Sequence, residues 1–174
     1  VAWENKINLT AALRMAARLD LHEGVDNHFS LMVSEKPFRF LLNPNRRHWS
    51  QIRASELVEV DENGRPVDDF EPPERTAFFI HSRIHMACPH AKCILHTHMR
   101  YATALTMIEG GRLEPVAQSA LKFLGQIAYL DDFGGLALDE DEGDRLARAL
   151  GEKRILFLAN HGVIIVGPSV AHAF

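Results

Sequence analysis

Residues 89–98 read Pro-His-Ala-Lys-Cys-Ile-Leu-His-Thr-His, and residues 158–163 read Leu-Ala-Asn-His-Gly-Val. In the first stretch the apolar run Cys93-Ile94-Leu95 predicts a buried strand, Cys93–His96, that leads into His96-Thr97-His98. Side chains two apart on an extended chain point to the same side, so two imidazoles converge there and can chelate one ion. In the second stretch His161 stands where one apolar strand ends and a Gly-containing turn leads into the next, Val163–Val166. Three neutral imidazoles with an open coordination position are a common way to build a catalytic zinc-type centre. Taken singly, an H-x-H is a weak metal signal, and a lone histidine at a strand end is usually a hydrogen-bonded structural residue.

Strand-like and helical runs alternate on either side of these stretches. Leu9, Ala12, Leu13, Met15, Ala16 and Leu19 repeat at threes and fours, which predicts an amphipathic helix over residues 8–19, broken by Gly24. Phe29–Val33 and Phe38–Leu42 read as strands joined by a turn through Glu35-Lys36-Pro37. Val58–Asp61 and Arg65–Val67 flank Glu62-Asn63-Gly64, a hairpin signal because Asn and Gly tolerate positive φ. A helix is expected over residues 74–87, stopped by Pro89, and another begins at Tyr101–Met107. Gln126–Leu130 and Arg154–Leu158 read as strands around a charged helix at residues 140–151, whose acidic first turn suits the helix dipole. Pro168-Ser169 opens a final helix that reaches Phe174, so the natural chain is expected to continue. The pattern is that of an α/β or α+β fold with helices on the sheet faces, residues 1–174 forming one domain.

Composition narrows the function classes. The chain has 174 residues, 47% apolar and 24% charged, which suits one globular core and excludes a disordered or fibrous chain. Nineteen Lys and Arg against 23 Asp and Glu leave a net charge of −4, and no aromatic-basic interleaving occurs, so nucleic acid is not expected as a partner. No apolar run approaches the ~18 residues of a membrane span. The opening Val-Ala-Trp-Glu-Asn-Lys has no export pattern, and two cysteines make no disulfide framework, so a reducing, cytoplasmic compartment is expected. Ten histidines are the compositional excess, and function is sought among them.

His28 lies in the turn Asp26-Asn27-His28 just before a strand, a usual place for active-site loops. His81 and His85, four apart on one helix, interleave with Phe78, Ile80 and Ile84, which favours packing and hydrogen-bonding roles over chelation. His22, His48, His90 and His172 have no identifiable partner in the sequence. Asn43-Pro44-Asn45-Arg46-Arg47-His48 offers amides and cations suited to a carboxylate or phosphate, and equally reads as a solvated basic loop. There is no Gly-rich phosphate loop and no nucleophile elbow.

Over nearly its whole length the sequence resembles the class II aldolase/adducin family. The resemblance is carried by Asn27-His28-Phe29-Ser30, the Asn43-Pro44-Asn45 loop, His81-Ser82-Arg83-Ile84-His85, residues 89–98 and Asn160-His161-Gly162. It implies an α/β/α fold with a mostly antiparallel central sheet flanked by helices. It also implies His96, His98 and His161 as metal ligands for zinc, or for manganese or cobalt. The family's aldolases use the ion to bind carbonyl and hydroxyl oxygens of the substrate and to stabilise an enediolate as a carbon–carbon bond breaks. Family decarboxylases and an epimerase act similarly on other bonds, and members are commonly homotetramers with sites at subunit interfaces. The expected activity is therefore a metal-dependent lyase acting on a small anionic hydroxy- or keto-compound. The alternatives are a decarboxylase, or an adducin-like interaction module without catalysis. In the aldolases the acid/base is a glutamate four residues before the position of His81, which here is Ala77; Glu74 stands three residues earlier and is the candidate replacement. Asn27, Asn45 and Arg46 are candidates for substrate binding, and His28 for orienting substrate or relaying a proton. The run Phe79-Ile80-His81-Ser82 with Ile84-His85 looks closer to the adducin-like branch than to the sugar-phosphate enzymes.

Overall fold

In chain order the computed structural model, which describes residues 3–135 and 139–174, runs α1 (Trp3–Arg18), β1 (His28–Glu35), β2 (Phe38–Leu42), β3 (Val58–Val60), α2 (Arg75–Ala87), β4 (Cys93–Thr97), α3 (Arg100–Thr106), β5 (Ile127–Leu130), α4 (Glu140–Leu150), β6 (Ile155–Leu158), β7 (Gly162–Gly167) and α5 (Val170–Ala173). Short 3-10 turns lie at Trp49–Gln51, Ala54–Glu56 and Ala120–Phe123. The strands form one sheet in the order β3-β2-β1-β4-β7-β6-β5. Every neighbouring pair is antiparallel except β5 with β6. The α/β/α class with a mostly antiparallel sheet is therefore the observed one.

Alternation along the strands sorts side chains between two cores. Cys93 and Leu95 of β4 join Phe29 and Leu31 of β1 and Leu9, Leu13 and Ala16 of α1 on one face. Ile94 joins Leu156 and Leu158 of β6, Ile164 and Val166 of β7, and the inner faces of α2 and α4 on the other. Each leucine buried in this way contributes roughly 1.5–3 kcal/mol. Helix α4 turns Gly143, Leu146, Ala147 and Leu150 inward at helical spacing. A Cβ at Gly143 would lie 2.5 Å from the Phe79 carbonyl oxygen, so the close approach of α2 and α4 requires glycine there. Arg83 locks the same pair from outside, its Nε and Nη2 donating to the two Asp144 carboxylate oxygens at 2.6 and 3.1 Å.

Some boundaries differ from the sequence expectation. Arg65–Val67 does not form a strand: a single bridge, Val60↔Pro66, is held by the Asp61 N–H on the Arg65 carbonyl and the Val67 N–H on the Glu59 carbonyl, and the chain then bends away over residues 67–69 before a second pair can form. The second helix begins at Arg75, with Glu74 as its cap, and the first begins at Trp3. No helix of the described residues is long and apolar enough to cross a membrane.

Candidate metal centre

His96 sits near the end of β4, 1% exposed, on the face that α2 and α4 cover. Its Nδ1 lies 3.1 Å from the Val163 carbonyl oxygen. A carbonyl only accepts, so Nδ1 carries the proton and Nε2 a lone pair. His98 follows just beyond the strand, and its Nδ1 lies 2.6 Å from the Glu23 carboxylate. Its Nε2 is buried and has no partner among the described residues. A buried polar atom left unsatisfied costs about 1–3 kcal/mol, so this nitrogen calls for an electrophile. A carbonyl behind one ligand and a carboxylate behind another is the usual outer-shell arrangement that orients metal-bound imidazoles.

His161 reaches the same point from the β6–β7 turn. Asn160 before it is left-handed at φ 55°, and Gly162 after it opens β7. A Cβ at Gly162 would lie 2.5 Å from the Thr97 carbonyl oxygen, so only glycine lets this turn lie against the end of β4. The His96, His98 and His161 ring centroids are 4.8 to 5.0 Å apart pairwise. One nitrogen from each lies within 4.8 Å of the others, the one cluster of three potential ligands among the described residues. Three imidazoles with their remaining nitrogens turned outward are a donor set for zinc, and also for manganese or cobalt.

The trio opens into a cleft of about 1230 Å³ that is also lined by Asn27, His28, Asn45, Arg46 and Glu74. All eight residues singled out in the sequence thus share one cavity. Asn27 accepts from the backbone N–H of Glu23 at 2.8 Å and of His98 at 3.2 Å, tying its loop to the end of β4. Its amide nitrogen is buried without a partner among the described residues. Asn45 and Arg46 stand exposed at the rim. Asn43 lies deeper and serves the backbone, accepting from Phe29 N–H at 2.8 Å. Tyr129 belongs to a different cavity, where its hydroxyl accepts from Leu113 N–H at 3.0 Å.

Glu74 caps α2, and its carboxylate accepts from the Ala77 N–H at 2.8 Å and from the Thr76 hydroxyl. Ala77 is 3% exposed and packs with Phe40 and Leu42. The cap therefore folds a carboxylate back over the position where the aldolase glutamate was expected, although three residues separate the two in sequence. Burial pushes the Glu74 carboxyl up, but the Thr76 hydroxyl and the Ala77 and Thr76 amides outweigh it, so it sits below the usual carboxylate range. It is an anion at neutral pH.

Two contributors carried no sequence signal: Glu23 behind His98, and Phe133, whose ring is 6.4 Å from that of His161. Their neighbours are polar loop residues without periodicity, so only contact reveals them. His22 and His48 meet each other at 3.2 Å, His90 meets the Lys153 carbonyl at 3.0 Å and His172 meets Ser169 at 2.8 Å. None of these four lines the cleft.

Burial lowers the histidines of this region, His28 and His85 to about 3 and His161 to about 4, with His81 and His96 also well below their ordinary value. A depressed folded value means that the unfolded chain binds protons first, so stability present above about pH 6.5 is lost as pH falls toward 3. His28 and His85 alone are expected to destabilise the fold by about 3 kcal/mol at pH 5.5 relative to neutrality. Urea unfolding of the metal-free chain at pH 7.5 and 5.5 measures this. Equal midpoints at the two pH values would show that the imidazoles are not buried neutral.

The class II aldolase and adducin N-terminal domain model matches residues 7–174. Rat alpha-adducin is 35% identical over 97% of this chain and 23% of its own length. Decarboxylase NovR of Streptomyces niveus is 30% identical over 95% of this chain and 62% of its own length. The chain thus spans less than two thirds of either relative. Among solved structures, an aldolase II superfamily protein from Pseudomonas syringae superposes with a TM-score of 0.91 at 38% identity, covering 98% of this chain and 69% of that one. L-fuculose 1-phosphate aldolase from Glaciozyma antarctica superposes with a TM-score of 0.83 at 27% identity, covering 98% and 66%.

Proposed function

We propose, from the premise that this chain belongs to the class II aldolase and adducin N-terminal domain family, that it is a divalent-metal-dependent lyase cleaving a carbon–carbon bond of a small anionic hydroxy- or keto-compound. The observation that carries this reading is the buried, unpartnered Nε2 of His98 beside His96 and His161, with both outer nitrogens of the H-x-H pair already held. Zinc suits three imidazoles, with manganese or cobalt as alternatives. When bound, the ion supplies Lewis-acid stabilisation of the charge that develops beside a carbonyl.

The chain's own residues supply the rest. Glu74, an anion held by Ala77 and Thr76, takes the proton from the substrate hydroxyl as the bond beside it breaks. Asn45 and Arg46 hold the anionic end of the substrate at the rim, and the free amide N–H groups of Asn27 donate to an oxygen further in. His28 orients the substrate from the β1 side. The active form is a homotetramer with sites at subunit interfaces, which leaves room for a neighbouring copy to close the cleft. Buried free Cys88 and Cys93 suit a reducing compartment such as the cytoplasm.

Two observations favour neighbouring readings. Similarity to a decarboxylase supports loss of carbon dioxide from the same kind of substrate, since that also develops charge beside a carbonyl. Alanine at position 77 and the similarity to alpha-adducin favour a non-catalytic interaction module, which has no use for an oriented histidine trio. The test is metal content by mass spectrometry on tag-free protein incubated with zinc, manganese or cobalt. A screen of hydroxyketone phosphates for cleavage and of keto and hydroxy acids for carbon dioxide release follows. About one ion per chain with cleavage supports the lyase. Carbon dioxide release alone selects the decarboxylase, and a chain that takes up no ion sinks both.

A further inference from the structure

Four side chains run in line from a backbone carbonyl behind α2 to the wall of the cleft. The Ala91 carbonyl can only accept, so His85 donates its Nδ1–H across 2.7 Å. His85 is 2% exposed, with its ring 5.3 Å from that of Phe40, and burial without a counter-ion keeps it neutral. A neutral His85 then offers only a lone pair at Nε2, which the Ser30 hydroxyl fills across 2.8 Å. With its single proton used, the Ser30 oxygen accepts from Nδ1–H of His81. His81 is fully buried and now bare at Nε2, so Nδ1–H of His28 donates to it across 2.8 Å. Each link leaves the next a single choice.

We propose that Ser30, His81 and His85 are positioning residues that hold His28 with its proton on Nδ1 and its lone pair on Nε2, making it an acceptor that selects ligands presenting a hydroxyl group to this wall of the cleft. His28 pairs with His96 in the β1–β4 register, with ring centroids 4.8 Å apart, and it lines the cleft. Its Nε2 has no hydrogen-bond partner among the described residues. It also stands outside the trio whose nitrogens lie within 4.8 Å of one another, so its lone pair is left for a ligand atom. A ketone, ether or carboxylate oxygen brought there sets lone pair against lone pair, whereas a hydroxyl donates. Sites built to pair one hydroxyl reject analogues that lack it, because the buried partner is then left unmatched. The hydroxyl selectivity rests on the metal-lyase reading for its substrate; the tautomer assignment does not depend on turnover.

The first measurement is a long-range 1H–15N correlation spectrum of the metal-free, 15N-labelled chain, which reports which ring nitrogen carries each proton. His28, His81 and His85 are expected as Nδ1–H tautomers. His28 protonated on Nε2, or exchanging between forms, overturns the proposal whatever the activity. The second measurement compares glycolate with methoxyacetate on the zinc-loaded chain, since both offer the same oxygens and only glycolate has a hydroxyl proton. Glycolate is expected to bind roughly five- to tenfold more tightly and to shift the His28 Nε2 resonance. In Ser30→Ala that advantage falls to about twofold or less, and His28 becomes a mixture of tautomers. Equal affinities in the unmodified chain, an unmoved His28 resonance, or an advantage unchanged in Ser30→Ala overturns the selectivity. If Ser30→Ala does not fold, the tautomer spectrum and the two-ligand comparison on the unmodified chain still decide. A chain that binds no zinc but shows the expected tautomers defeats the lyase and the hydroxyl selectivity that rests on it while leaving the positioning chain standing.

Discussion

In the His96→Ala chain, bound divalent metal is expected to fall from about one ion per chain to background, and turnover on the order of 10³-fold or more. Two imidazoles remain, one of them on the β6–β7 turn, and they no longer enclose an ion from three sides. The lost stabilisation of developing charge amounts to several kcal/mol, and each 1.36 kcal/mol is about a factor of ten in rate. His96 is also part of the core at 1% exposure, and its removal leaves the Val163 carbonyl without its donor. The melting temperature is therefore measured alongside, and His161→Ala, whose side chain is less buried, is the companion variant. It is expected to lose the ion with a smaller change in stability. Either variant retaining the ion at unchanged affinity would remove the trio from the site.

Glu74→Gln is expected to lower kcat by roughly 10²- to 10⁴-fold while metal content stays as in the unmodified chain. Glutamine keeps an oxygen that accepts from the Ala77 N–H, so the cap of α2 and the placement of the side chain survive. Only the charge and the basicity go. The hydrogen bonds that hold Glu74 below the usual carboxylate range keep it ionised, so activity in the unmodified chain is expected to persist to lower pH than an ordinary carboxylate base would permit. The pH–rate profile and metal content of the two chains, side by side, make the measurement. Unchanged kcat in Glu74→Gln would show that the proton is taken elsewhere and that Ala77 marks a lost base.

The convergence of His96 and His98 was legible because it is local: two residues apart on extended backbone is enough to turn two rings to one side. The strand–helix alternation was legible for the same reason, and so was the amphipathic face of α4. The hairpin through Arg65–Val67 misled because the Asn63-Gly64 turn brings the chain back for one bridge, Val60↔Pro66, but the chain bends away over residues 67–69 before a second strand can pair. Glu74 illustrates a different limit. Its offset from position 77 looks like one helical turn too many on paper. An N-cap side chain bonds the amide three residues on, so the fold recovers the distance.

By itself the sequence determined an alternating α/β or α+β pattern, the H-x-H pair and the motifs whose family resemblance implied the α/β/α class, since strand periodicity, helix periodicity and short motifs are properties of neighbouring residues. The resemblance implied His161 as the third member, but only the tertiary structure showed how it closes on the pair. That required the Thr97↔Val163 register of β4 with β7 and a glycine at 162 to let the two backbones touch. It alone decided that Glu23 backs His98 and that His28, His81, Ser30 and His85 form one directed chain. Those partners lie 51 to 75 residues apart, and no local preference can specify a hydrogen bond whose two ends meet only when β1, α2 and β4 pack together.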